Sequence, residues 1–311
     1  MKGLFSPATA TELPGTWVTA QGGRRPASKW PLAINSCASR EGEAATSAAD
    51  PLTVATAWRR RASVLRTRCE WDAALAAARE SAAVALRHEL HEAHAEALNA
   101  EAAVFQSQGN FEAALPLLER ILERTTNPRI RGVAVQNLGS IAAERGDYET
   151  AEHRFLESYR CFKEADYEWG QAFALNNYGR AAMDRGSLEI AERVLSRAVE
   201  LARGVEDLDL AALATMNLAE TMLAADDLER ADEAASTALG YFDMVGNRWR
   251  RVECLRLLGD INLRDDQPDV ARRCYTQGLA LARELGIQLE IARLEERLRD
   301  AGDDTPSGKE E

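Results

Sequence analysis

The stretch NYGRAAMDRGSLEIAERVL, from Asn177 to Leu195, decides the fold. It reads as the end of one helix, a turn at Gly186, and the start of a second helix. Gly179 stands where the two helices must approach closely, and Ala191 supplies the small partner on the second helix. Tyr178 and Leu195 are the apolar residues that fill the layer between them. Gly186 permits the left-handed or tight backbone of the connection.

The same phrase recurs in both directions. Upstream it is NLGSIAAERGDYETAEHRF from Asn137, and downstream NLAETMLAADDLERADEAA from Asn217. Further copies of the turn and second helix are CEWDAALAAA at Cys69, GNFEAALPLL at Gly109 and DQPDVARRCY at Asp266. The aligned alanines are Ala74, Ala114, Ala151, Ala191, Ala231 and Ala271, with spacings of 40, 37, 40, 40 and 40. Six aligned units, each with a turn signal five residues earlier, do not arise from an alanine-rich composition alone.

These residues resemble the tetratricopeptide repeat family over about residues 52–285. Its pattern W-x2-L-G-x2-Y…A-x3-F is clearest in the middle repeats, and Trp58 sits at its first tryptophan position. The first two repeats match less well. Arg61 and Glu101 occupy a normally apolar position there, and they face each other if the helices stack in register. The period of 40 exceeds the family's usual value of about 34, and the closing proline is missing. Phrases such as YEWGQAFALNNYG and GNRWRRVECLRLLG resemble the long-repeat branch, found in bacterial signalling ATPase regulators, peptide-sensing regulators and motor light chains. The resemblance implies an all-α, right-handed superhelical solenoid of about six helix–turn–helix repeats. Ile287, Ile291, Leu294 and Leu298 place one apolar face on a final capping helix. Residues 1–50, rich in Gly, Pro, Ser, Ala and Thr, read as a disordered leader that includes Trp17 and Trp30. Residues 51–301 are expected to form the solenoid, and the polar residues 302–311 a disordered tail.

Composition limits the function. The chain has 311 residues and a net charge of -12, which argues against non-specific nucleic-acid or anionic-membrane binding. No apolar stretch approaches the roughly 18 residues of a membrane span. Five cysteines without a CxxC pair fit a reducing cytoplasm rather than a disulfide framework. His88, His91 and His94 lie in RHELHEAHAE, but His88 and His94 are about 600 degrees apart on a helix, so no metal site or cofactor is expected. No catalytic motif is present, and the chain reads as a non-enzyme.

The expected partner is a protein or peptide. On a helical wheel Asn137 points about 150 degrees from the core centre, toward the concave groove and solvent. Asn177 and Asn217 repeat it at intervals of 40 residues. A carboxamide both donates and accepts, so such a ladder suits the backbone of an extended peptide. The resemblance implies the same, since asparagine ladders bind peptide backbone in long-repeat members. A repeat consensus alone would produce the same ladder. Gln136, Asn176, Arg180, Asp184, Glu144 and Glu220 are the expected specificity neighbours. Arg59, Arg60, Arg61, Arg66 and Arg68 form a basic patch on the first helix, suited to an acidic peptide or a terminal carboxylate, or to a solvated face on an acidic protein. The functional readings are an adaptor that assembles proteins and a sensory or regulatory module. A metal protein or enzyme rests on the histidines alone.

Overall fold

The computed structural model describes residues 50–303, and the leader and tail readings fall otherwise outside the described residues. Thirteen helices follow one another: α1 Pro51–Thr67, α2 Trp71–Arg87, α3 His91–Ser107, α4 Phe111–Arg124, α5 Pro128–Glu144, α6 Tyr148–Glu164 and α7 Glu168–Asp184. Then come α8 Leu188–Gly204, α9 Leu208–Ala224, α10 Leu228–Val245, α11 Arg248–Arg264, α12 Pro268–Leu285 and α13 Gln288–Asp303. No strand occurs among the described residues. Each helix packs on the next, and the odd-numbered helices also pack side by side with one another. The odd-numbered helices therefore form the inner row of a solenoid, and α2, α4, α6, α8, α10 and α12 the outer row.

The aligned alanines are the hinge of every pair: Ala74, Ala114, Ala151, Ala191, Ala231 and Ala271 are all fully buried. Glycine on the inner helix goes with a large side chain on the outer one. A Cβ on Gly139 would lie 2.7 Å from the Phe155 ring, on Gly179 2.4 Å from Leu195, and on Gly259 2.1 Å from Tyr275. In the fifth repeat Ala219 takes the glycine position and Ala235 the position of the large residue, both fully buried. Volume is thus exchanged between the two helices within a fixed spacing.

Left-handed residues make the turns. Gly146 and Gly186 have φ of 77° and 86°, as the sequence requires. Cys69, Glu89, Asp166, Glu206, Asp226 and Asp266 do the same work with φ between 47° and 64°. Side-chain caps start the helices: Asp147, Asp207, Asp227 and Asn247 each accept from the backbone N–H three residues on. The connection between α4 and α5 is different. Helix α4 has 14 residues where its counterparts have 17 or 18, and Pro128 opens α5, which accounts for the spacing of 37.

Helix α13 closes the stack. Leu294 is fully buried against Val252 and Tyr275, with Ile287, Ile291 and Leu298 packed around it. Its residue at the glycine position is Arg299, which is exposed.

Candidate functional site

The inner row carries the polar side chains singled out in the sequence, but not in the expected setting. Asn137, Asn177 and Asn217 retain only 6%, 3% and 4% exposure, and Gln136 and Asn176 1% and 2%. They do not face solvent. The wheel placed them away from their own outer helix, but that direction leads into the seam between neighbouring inner helices. Across that seam Asn217 Nδ2 donates to Asn176 Oδ1 at 2.8 Å, and within α7 Asn176 Nδ2 donates to Asn177 Oδ1 at 3.0 Å.

Not every carboxamide is satisfied. Asn99 Oδ1, Gln106 Oε1, both polar atoms of Gln136 and Asn177 Nδ2 are buried without a hydrogen-bond partner among the described residues. All four residues lie on inner helices. Asn99, Gln136 and Asn176 occupy equivalent positions of α3, α5 and α7, where α1 has Arg59 and α11 has Arg256. The row is therefore carboxamide over α3, α5 and α7, apolar at Met216 of α9, and charged at α1 and α11.

A cavity of about 170 Å³ opens in this middle section. Gln136 and Asn137 line it, together with Arg59 and Arg66 of the basic patch, so the structure joins two groups that looked separate in the sequence. Arg59 pairs with Glu96 at 3.1 Å, and Arg66 Nη1 donates to Ser107 Oγ at 3.1 Å. Arg60 is exposed and does not line the cavity, while the Arg61 guanidinium lies over the Trp58 ring at 5.0 Å. The expected pairing of Arg61 with Glu101 does not form. Arg79 of α2 takes Glu101 at 2.7 Å, because Glu101 points at the outer helix that packs between them.

An aromatic wall that the sequence reading missed completes the cavity. Trp169 and Phe173 stack at 5.2 Å with an interplanar angle of 8°, and Tyr167 lies 5.9 Å from Trp169. Trp169 Nε1 donates to Asp207 Oδ2 at 2.8 Å, and the Arg129 guanidinium covers Tyr167 at 4.6 Å. Two glycines make room: a Cβ on Gly170 would lie 2.5 Å from the Tyr167 ring, and on Gly132 2.6 Å from Phe162. The signal was in the quoted phrase YEWGQAF, where aromatic residues flank a glycine.

Beyond the cavity the inner row becomes ionic. Arg180 bridges Asp184 at 3.4 Å and Glu220 at 2.7 Å. Arg256 repeats the arrangement with Asp260 at 3.5 Å and Glu290 at 3.1 Å, and Asp260 also accepts from Arg297 and Tyr275, both at 2.8 Å. Burial pushes the Glu253 carboxyl above the ordinary range, against the pull of Arg250. Cys254 donates to the Ala235 carbonyl at 3.1 Å, and burial, then Glu220 and Glu253, push its thiol up to about 12, the reverse of an activated nucleophile. No group of three or more His, Cys, Asp or Glu is placed to hold a metal among the described residues, and no described helix is long and apolar enough to cross a membrane.

A family profile described as Tetratricopeptide repeat matches residues 53–127, which span α1 to α4. The described residues have the fold of a tetratricopeptide-repeat solenoid. The profile falls on the first two repeats, whose residues depart most from the pattern of the middle ones. Ala62 and Ala102 replace glycine there, and both are buried at the same close approach. The solenoid is similar to several solved structures. BtubC from P. vanneervenii shares 18% identity at a TM-score of 0.60, covering 68% of this chain and 91% of that one. A signal transduction ATPase with numerous domains and a tetratricopeptide repeat sensor, from Pyrococcus horikoshii, shares 14% at 0.60, covering 79% of this chain and 42% of that one. The apo form of RapI shares 12% at 0.60, covering 79% and 90%. A search of the curated proteins finds no match to the solenoid.

Proposed function

We propose that this solenoid is a non-catalytic protein-binding scaffold that holds an extended segment of a partner along its inner row of helices. The observation that carries the reading is the set of buried carboxamides with at least one unpartnered polar atom, Asn99, Gln106, Gln136 and Asn177, all on that row. Buried polar groups are costly unless bonded, and a peptide backbone offers both donors and acceptors. In this reading Asn137 and Asn177 meet the segment, and Asn217 and Asn176 hold each other in place beneath it. Arg180 with Asp184 and Glu220 borders the groove on one side, and Arg59 with Arg66 on the other. The acidic chain and its paired arginines favour neither nucleic acid nor an anionic membrane as the partner.

A second reading is a sensory or regulatory module of a signalling system. The likeness to the sensor-bearing ATPase and to RapI supports it. It uses the same groove and differs only in what responds to occupancy.

The test is photo-crosslinking. A peptide selected from a random display library against the full chain is synthesised with a photoreactive residue, and crosslinks are mapped by mass spectrometry. Crosslinks to α3, α5, α7 and α9 are expected. Crosslinks confined to the outer helices would overturn the groove.

A further inference from the structure

We infer that the cavity in the inner row selects one side chain of the bound segment, and that this side chain is a primary carboxamide, Gln or Asn. The inference rests on the groove reading and adds a sequence preference to it. Its starting point is Gln136, which is 1% exposed and has neither Nε2 nor Oε1 hydrogen-bonded among the described residues. Whichever way its carboxamide is turned, it presents one NH2 group and one carbonyl oxygen. Asn99 Oδ1 is a second unpartnered acceptor in the same lining.

The complement of that set is a group with two N–H donors and one carbonyl acceptor. A primary carboxamide has them in one plane. Laid beside Gln136, it closes two hydrogen bonds with that residue, and its second N–H is left for Asn99. A carboxylate brings no donor, so both acceptors stay unpaired, and it would lie near Glu96. The Arg59 charge that would draw it in is already paired with Glu96 at 3.1 Å. An ammonium or guanidinium brings no acceptor and meets Arg59, Arg66 and Arg129 in the same lining. An apolar side chain leaves every one of these groups unpaired.

The rest of the cavity suits a flat group on a short stem. Its volume of about 170 Å³ is enough for the end of one side chain. The stacked rings of Trp169 and Phe173 offer a flat apolar surface for the methylene stem. The Trp169 N–H is taken by Asp207, so the stacked pair of Trp169 and Phe173 adds no competing donor. Gly132 and Gly170 fix the wall, because a side chain at either would displace an aromatic ring.

The experiment uses a random dodecapeptide display library against the full chain and against Gln136→Leu, followed by calorimetry on synthetic peptides. On the parent chain, recovered peptides should share Gln or Asn at one position. Replacing that Gln by Glu should weaken binding about tenfold or more, as expected when a buried acceptor loses its donor. Gln136→Leu should shift the preferred residue to Leu or Met while its melting temperature stays equal or rises. The peptide exchange needs no variant protein, so it decides the matter even if Gln136→Leu folds poorly. Recovered peptides without a carboxamide preference, or with Asp or Glu at the selected position, overturn the inference and leave the groove standing. A library that yields no binding peptide overturns the groove and the inference together.

Discussion

Asn217 shows what a single residue does here. Its side chain crosses the seam between α9 and α7 to reach Asn176. Asn217→Ala removes the donor and leaves Asn176 Oδ1 buried and unpaired, so it should destabilise the fold by about 1–3 kcal/mol. Urea unfolding measures this, and an unchanged midpoint would return the asparagine to solvent. The position of Asn217 in the repeat was legible in the sequence, but its burial was not. A helical wheel knows one helix and the core it packs on. The seam arises from the stacking of helices 40 residues apart, which no local periodicity encodes. The glycines were legible because their neighbours are local: Gly259 and Tyr275 belong to one hairpin. Gly259→Ala should cost about 1–3 kcal/mol, since Tyr275 is fully buried and held by Asp260 and cannot yield easily. Thermal unfolding checks it, and a tolerated alanine would place the inner and outer helices further apart than described.

At the scale of the element, the turns separate what sequence reveals from what it hides. Gly146 and Gly186 announced their left-handed backbone. Glu89 and Glu206 did not, because the two helices on either side impose that conformation on a residue with no preference for it. The left-handed region costs a non-glycine residue about 1–2 kcal/mol, while glycine gives up about 0.5–1 kcal/mol of chain entropy. Glu206→Gly should therefore stabilise by a few tenths to about 1 kcal/mol. The reading is the shift in denaturation midpoint, and a loss of stability would mean that the glutamate makes a contact worth more than the strain. The capping helix was legible from its apolar face. At the position where glycine elsewhere admits an outer helix it carries the exposed Arg299.

For the whole molecule, charge is the property that reads out most simply. Burial first, against the opposing pull of Gln106, Arg180 and Arg250, holds the carboxyls of Glu144, Asp184 and Glu253 above the ordinary range. The native state therefore binds protons that the unfolded chain has already released. Stability from these groups is complete below the ordinary carboxylate range and is lost as pH rises through the raised values. The melting temperature should climb as pH is lowered from neutral toward the ordinary carboxylate range. Asp147 acts in the opposite sense. Hydrogen bonds from Thr150 hold its carboxylate low, so its contribution is lost only as pH falls further. A melting temperature that falls steadily from neutral pH downward would show that the ion pairs outweigh the buried acids.

The short helix α4 has a consequence for cooperativity. An array bound together only by nearest-neighbour contacts unfolds in blocks, and its weakest junction decides where the blocks divide. The packing between α4 and α5 is the sparsest between consecutive helices among the described residues. The protein should behave as two foldons, one ending at Arg124 and one beginning at Pro128. Their boundary runs through the cavity, so a ligand seated there would also fasten them together. Without it, native-state hydrogen exchange should resolve two opening free energies, and an occupant of the cavity should merge them into one.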